Sequence, residues 1–397
     1  MKPVFTTIIC SAIVNVVAAS DTVIWQKELG CDLNMTCKPG AMIVDRITNE
    51  AIILGTSKAQ GTTEANLWLW KIDPNGTVTN NKSLGMLSKY GSLMAGPFGI
   101  KTSIMPNTGD IVTLNLNDAN SMSLSITDRN MQTSTVKLNT PVRKLPGTLI
   151  LHDMISYQND NLLIVGQSGK DGIVMRTNMA GNVIWEKPFD REQVDILSSI
   201  TCTNDGTDFY IAGMSASMRD KMLFADSATV CLLRYDGNGE LKASNFFEGG
   251  YSPWPTSLPK VVSLRSGVVL VVYDKSKDVK TTELYAKAYT QELVPLWEKQ
   301  ILQTKENTPP ASFAICVTPK DHFVLAGQVN FTDLRVYEYK SDGVILQTLE
   351  LDGEVGSGGI YVDYLAGKII VSSATNLKKN EKEAKIKLLA LKPYKTN

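Results

Sequence analysis

TVIWQKELG, residues 22–30, is the stretch on which the reading of this chain turns. It matches VIWEKPF at residues 183–189 and PLWEKQI at residues 295–301, two segments that each close a strand–turn–strand unit. The units are LWLWKIDPNGTVT from Leu67, VMRTNMAGNVIWEKPF from Val174 and CLLRYDGNGELKASNFF from Cys231, with looser copies from Glu283 and Leu334. Their polar centres, DPNG at Asp73 and DGNG at Asp236, suit a hairpin because Asn and Gly tolerate positive φ. The turn positions Gly76, Asn130, Gly181, Gly239, Leu293 and Gly343 recur 50–58 residues apart, close to the period of a propeller blade.

A second element precedes each copy, a strand pair whose latter member ends in Gly and a small residue. EAIILGTS ends at Ser57, NLLIVGQS at Ser168, DFYIAGMS at Ser215 and HFVLAGQV at Val329. Joined, the two elements make four short antiparallel strands, one blade. Full units run near residues 31–84, 85–138, 139–190, 191–247, 248–302 and 303–351; the last, from Asp352, holds only GIYVDYL, GKIIVSSAT and AKIKLLALK. Its missing fourth strand is residues 22–30. The reading is an all-β, seven-bladed β-propeller with four-stranded blades, the N-terminal strand completing the last blade and removing open edges. The alternatives are an open β-sandwich or two smaller β domains. LKKNEKEAKIKLLALK, near the end, reads as a loop over Lys378–Glu383 and a strand from Ala384, not as a basic amphipathic helix.

Residues 1–20, MKPVFTTIICSAIVNVVAAS, have a charged start, an apolar middle and small residues before Asp21. They are expected to be a cleaved signal peptide, leaving residues 21–397 as a single propeller domain, secreted or periplasmic. No other apolar run is long enough to span a bilayer. Removal leaves five cysteines, of which Cys31 and Cys37 share one polar loop and are expected to form a disulfide in an oxidising compartment. Cys202, Cys231 and Cys316 fall in apolar strand patterns and read as buried small hydrophobes. Sequons at Asn34, Asn75, Asn81 and Asn330 permit glycosylation in a eukaryotic secretory pathway. Forty basic residues balance forty acidic ones over the full chain. That balance argues against a nucleic-acid partner, and two histidines exclude a His-rich metal site.

The D-x-x-G-x-x-x-W-like signature, with Gly181 and Trp185 as its best copy, resembles the repeats of quinoprotein-type (PQQ-like) β-propellers, and the strand ending in G-x-S resembles those of secreted bacterial propellers. The resemblance covers the mature chain but is degenerate, since only Trp25, Trp185 and Trp297 keep the tryptophan. A quinoprotein dehydrogenase adds a calcium and quinone site, often beside adjacent cysteines. This sequence has neither an adjacent Cys pair nor a recognisable Ca²⁺ loop, so no cofactor and no metal are expected.

Catalytic signals are weak. His152 precedes Asp153 on the innermost strand of the third blade, where neighbouring side chains point to opposite faces, so the carboxylate would not orient the ring directly. His322 is read as an exposed histidine at a strand turn. No G-x-S-x-G elbow, Walker loop or H-E-x-x-H occurs, and EVGSGG from Glu354 reads as a connector. Binding is the better prospect. The blade-to-blade connections and second-to-third-strand loops are expected to share one face, with Tyr251 and Trp254 as an aromatic platform and Arg219, Lys221 and Lys275 as charges. The alternative for the aromatics is that they cover the next blade. The expected function is therefore an exported, non-catalytic propeller binding a protein, peptide or glycan on its loop face. The alternative is a quinoprotein-like oxidoreductase or a hydrolase working in the central funnel.

Overall fold

The computed structural model describes residues 16–17, 22–30, 35–59, 61–89, 91–92, 100–118, 121–139, 149–158, 160–191, 193–219, 224–250, 258–275, 283–303, 313–329, 332–353, 356–375 and 384–394. They form seven sheets of four antiparallel strands, the sixth carrying residues 16–17 in addition, parallel to Thr348 and Leu349 on its outer edge. From the innermost strand outward, the first blade is Met35–Asp45, Glu50–Ala59, Asn66–Ile72 and Val78–Met86. The second is Lys101–Ile104, Ile111–Asp118, Ser121–Thr127 and Thr133–Lys137. The third is Leu149–Tyr157, Asn161–Ser168, Asp171–Asn178 and Val183–Phe189. The fourth is Val194–Cys202, Asp208–Arg219, Phe224–Asp236 and Leu241–Glu248. The fifth is Lys260–Ser263, Val269–Asp274, Glu283–Tyr289 and Pro295–Gln303. The sixth is Phe313–Val317, Phe323–Val329, Asp333–Tyr339 and Ile345–Leu351. The seventh is Gly356–Leu365, Lys368–Ala374, Ile386–Leu391 and, from the other end of the chain, Val23–Leu29.

Val23–Leu29 pairs with Ile386–Leu391 from Val23↔Leu391 to Leu29↔Ile386, as the repeat count requires. The match extends to an irregularity. Ile24 is an extra residue bulged out of the ladder, and so are Ile184 and Leu296 in the outer strands of the third and fifth blades. Each precedes the tryptophan of its strand, and each is exposed. The bulge turns the tryptophan toward the following blade. There Trp25 Nε1 donates to Pro74 O at 3.0 Å, Trp185 Nε1 to Gly237 O at 3.2 Å and Trp297 Nε1 to Ser341 O at 3.1 Å. The rings lie on Gly76, Gly239 and Gly343, where a Cβ would fall 2.8–3.1 Å from indole carbons. All three glycines have positive φ. The glycine of the turn and the tryptophan of the preceding blade are thus one joint.

Neighbouring innermost strands pack against one another all the way round, enclosing a central channel. Between each adjacent pair of blades lies a separate apolar core, such as Leu163, Val165, Ile211 and Cys231 between the third and fourth. The unpaired inner edges are tied together by side chains that accept a backbone N–H from the next blade. Ser103 accepts from Ser156 at 2.8 Å, Asp153 from Ile200 at 3.0 Å, Ser199 from Val261 at 3.2 Å and Asp363 from Val44 at 3.0 Å.

The recurring G-x-S glycine has its cause in a bulge on the innermost strand. Gly40, His152 and Ser198 are the extra residues in the first, third and fourth blades. Each bulge drives the carbonyl two residues earlier, Lys38, Ile150 or Ile196, against the facing glycine, Gly55, Gly166 or Gly213, and leaves no room there for a Cβ. Gly327 of the sixth blade faces a regular register, and a Cβ there meets only Leu302 at 3.9 Å. His322 corrects the sequence reading: it is buried, its Nδ1 2.9 Å from Glu338 Oε1. Glu338 Oε2 in turn accepts from Gln347 Nε2 at 3.0 Å and from the Tyr394 N–H at 2.7 Å, which latches the carboxyl end to the sixth blade. A surface histidine at a turn was the wrong expectation because the sixth blade uses this turn to receive the end of the chain.

Gly166→Ala should lose about 1–3 kcal/mol in equilibrium urea unfolding through overpacking against Ile150. Gly327→Ala should stay within about 1 kcal/mol of the parent. Equal losses at the two sites would break the link between bulge and glycine.

Candidate functional site

The up-and-down order of each blade separates two faces. On one, first-to-second and third-to-fourth strands are joined by connections of at most six residues. On the other, fourteen residues run between Met86 and Lys101, eleven between Lys137 and Leu149, Glu248 and Lys260, and Ala374 and Ile386, and nine between Gln303 and Phe313. The loop face is therefore the variable one, carried on a rigid ring.

Arg219 ends the long second strand of the fourth blade on this face, paired with Phe224; its side chain lies outside the described residues, as does Lys221. Tyr251, Trp254 and Cys31 also lie outside them, while Cys37 is buried on the innermost strand of the first blade. Lys275 is described and is occupied. Its Nζ is 3.2 Å from Glu298 Oε1 and 5.2 Å from the centre of the Tyr285 ring. Burial pushes the Glu298 carboxyl up, but Lys287, Tyr273 and Lys275 together outweigh it and hold the group below its ordinary range. Asp195, near the loop-face end of the fourth blade, is fully buried; Ser215 donates to it, as does the Arg191 N–H at 2.7 Å. Cys202, Cys231 and Cys316 are free thiols in the strand packing, the first two pushed up by burial to about 12.

A cluster in the channel was not found from sequence. The innermost-strand residues that pair with Leu54, Leu114, Val165, Ala212, Val272, Ala326 and Ser372 of the second strands occupy one level of the ring. They are Ala41, Lys101, Asp153, Ser199, Lys260, Ala314 and Tyr361. Lys101 and Lys260 are the first residues of their strands. Burial pulls the Lys101 amine down to about 7, and Lys260 adds to the effect while Asp153 opposes it. Lys260 is lowered by burial too, against Asp153. His152 is held well below its usual value by burial and then by the two lysines, and is neutral at pH 7. Asp153 does not orient His152: its Oδ2 accepts the Ile200 N–H and its Oδ1 the Met154 N–H at 2.9 Å. The lysines stand in KTSI and KVVS, which no motif singles out; only aligning the blades on their glycine position brings them together. Among the described residues no group of three or more His, Cys, Asp or Glu could hold a metal ion, and no helix is long and apolar enough to cross a membrane.

No family model and no curated protein matches the chain. Among solved structures it is similar to BBS1N, determined in complex with ARL6DN, at 11% identity and a TM-score of 0.56, over 95% of this chain and 98% of that one. It is also similar to the β-propeller domain of the Trilobed protease from Pyrococcus furiosus, described as having an open velcro topology, at 9% identity and a TM-score of 0.50 over 89% and 93%. A Lactobacillus plantarum protein matches at 13% identity and a TM-score of 0.50, over 81% and 86%. These likenesses support the propeller fold and extend no further.

An amine lowered on folding makes the unfolded chain bind more protons between pH 7 and 10.5, so stability rises with pH across that window. Lys101→Met should therefore be more stable than the parent at pH 6–7. Its advantage should shrink above pH 7 by up to about 1.4 kcal/mol per pH unit. Paired urea titrations at pH 6, 7, 8 and 9 measure the difference and cancel the tyrosines and thiols common to both proteins. A pH-independent difference would place Lys101 in contact with bulk water.

Proposed function

We propose that this protein is an exported, non-catalytic β-propeller that binds a protein, peptide or glycan on its loop face. The observation that carries this reading is the asymmetry of the ring, in which every connection longer than six residues is on one side. BBS1N, a propeller similar in fold, was solved in complex with ARL6DN, which supports partner binding as one use of the fold. On this reading residues 1–20 are a signal peptide, Cys31 and Cys37 form a disulfide that pins the connection into the first blade, and Tyr251 and Trp254 provide the contact surface. Arg219 supplies charge at the rim. Lys275, already neutralised by Glu298, contributes by shaping its loop. Rigid aromatic side chains beside Pro253 and Pro255 lose little entropy on binding.

A second reading, an enzyme of quinoprotein-like or hydrolytic type, gains support from the cluster of half-buried Lys101, Asp153 and Lys260 with buried His152 near the axis. The Trp-on-Gly joints favour kinship with quinoprotein-type repeats at the level of architecture; they say nothing about a cofactor. Protein purified from its native host distinguishes the two readings: a stoichiometric quinone band in its absorption spectrum favours the enzyme.

Affinity capture with the mature protein, followed by titration of the recovered partner, tests the first reading. Tyr251→Ala and Trp254→Ala should each weaken binding by more than roughly tenfold. Lys340→Ala, exposed on the opposite face, should leave it unchanged. Loss of binding with Lys340→Ala and none with the aromatic variants would move the interface to the other face.

A further inference from the structure

We propose that the outer edge of the sixth blade is a strand-accepting site, held by residues 16–17 in the full chain and, once residues 1–20 are cleaved, by an extended, uncharged, β-branched segment of a partner protein. The inference rests on the reading of residues 1–20 as a signal peptide and is independent of the loop face. In the full chain Val16 pairs with Thr348 and Val17 with Leu349, parallel to Ile345–Leu351. Among the described residues this is the one blade with a fifth strand. The strand that closes the ring starts only at Val23, with Thr22 O accepting the Lys392 N–H at 2.9 Å. Cleavage before Asp21 therefore spares all seven blades and removes only the added strand.

An outer strand offers a row of unpaired N–H and C=O groups to any extended chain, and lysine or proline on the edge is a common protection. Six of the seven outer strands carry a lysine; the sixth, ILQTLEL, has neither lysine nor proline. In four of the six, Lys27, Lys82, Lys187 and Lys299 stand three residues after the bulged residue. Leu349 holds that position after its own bulge at Leu346. Lys82 donates to Met131 O at 2.5 Å and Lys299 to Asp342 O at 2.8 Å, each in the turn of the following blade. In the seventh blade that turn is interrupted by the two chain ends, so the sixth has no such turn to reach. Leu349 packs instead in the core between the sixth and seventh blades, and the edge is left without its charge.

A proline shows which groups face outward. Pro188 of the third blade stands four residues after its bulge, as Glu350 does in the sixth. With no N–H to give, it marks a position whose donor points away from the sheet. Alternation along the ladder then puts the backbone groups of Glu350 and Thr348 on the free side. Thr348 is the residue that Val16 meets. Those groups recognise the extended backbone of a segment, and the uncharged run from Leu346 to Leu349 suits an uncharged one. A second copy would bring a wall of lysine-bearing edges against this one, whereas a single extended segment brings only itself.

The test compares chain 1–397 with chain 21–397, which keeps every blade. Amide hydrogen exchange read by mass spectrometry should be about tenfold faster at Ile345–Leu351 in the shorter chain and equal in the other six outer strands. A fluorescein-labelled peptide SAIVNVVAAS, the sequence of residues 11–20, should bind chain 21–397 saturably in fluorescence anisotropy, restore that protection and fail to bind chain 1–397. Glu350→Pro should weaken binding by about tenfold or more at an unchanged urea midpoint. Glu350→Ala, which loses the same 3.8 Å contact with Arg335, should bind as the parent does. Sedimentation should show chain 21–397 as a monomer; a dimer broken by Glu350→Pro would give the edge to a second copy and overturn the partner. Equal exchange in the two chains, or peptide binding that is alike in both or survives Glu350→Pro, overturns the strand site. The intact mass of protein exported by its native host reads cleavage separately: a mass retaining residues 1–20 overturns the freeing of the edge, whatever the peptide does.

Discussion

The antiparallel pairing of Val23–Leu29 with Ile386–Leu391 holds the two ends of the chain in one sheet, and the geometry of everything else follows from it. Without that pairing the first and last blades of this chain would expose an unpaired strand edge beside an apolar face. Closure removes both. It brings Leu29 and Trp25 into the core between the seventh and first blades, and it seats the Trp25 ring on Gly76 of the first blade. The latch at Glu338, which receives Tyr394 next to the closing sheet, ties the same end of the chain to the sixth blade. The ring is therefore secured on both sides of its only covalent break.

Two glycine-centred contacts repeat around that ring, and they act at different radii. At the periphery, a bulged outer strand lays its tryptophan on the turn glycine of the next blade. Near the axis, a bulged inner strand presses a carbonyl against the glycine of its own second strand. Neither glycine is explained by flexibility alone. Gly76, Gly239 and Gly343 need positive φ and bare space together, whereas Gly55, Gly166 and Gly213 need only the space. In the second and fifth blades, whose inner ladders run without a bulge, Asn115 and Tyr273 hold that position, whereas the sixth, also regular, keeps Gly327.

This explains what could be read in advance. Residues 22–30 were assignable to the last blade because the tryptophan joint demands a Trp, a preceding apolar residue and a turn glycine at fixed spacing, and all three are visible as letters. Leu293 could be recognised as a turn residue, although it is not glycine, because the spacing places it there; it does adopt positive φ. The second-blade turn slipped by one residue, with Met131 rather than Asn130 in that conformation. His322 was misread because its partner Glu338 lies on a different strand and nothing local signals burial. Lys101 and Lys260 were invisible for a related reason: a lysine at the start of a short strand looks like an exposed strand end, and only the ring puts it inside.

The placement of charge near the axis then separates two roles within one molecule. Polar groups on the inner strands that accept backbone N–H bonds, Ser103, Asp153, Ser199 and Asp363, stitch adjacent blades where sheet hydrogen bonding cannot. Lys101 and Lys260 cannot do this work, since an amine has no acceptor to offer a neighbouring N–H. The burial that lowers their amines costs the ring stability at neutral pH. The two amines stand in the second and fifth blades, whereas the stitching groups stand in the second, third, fourth and seventh.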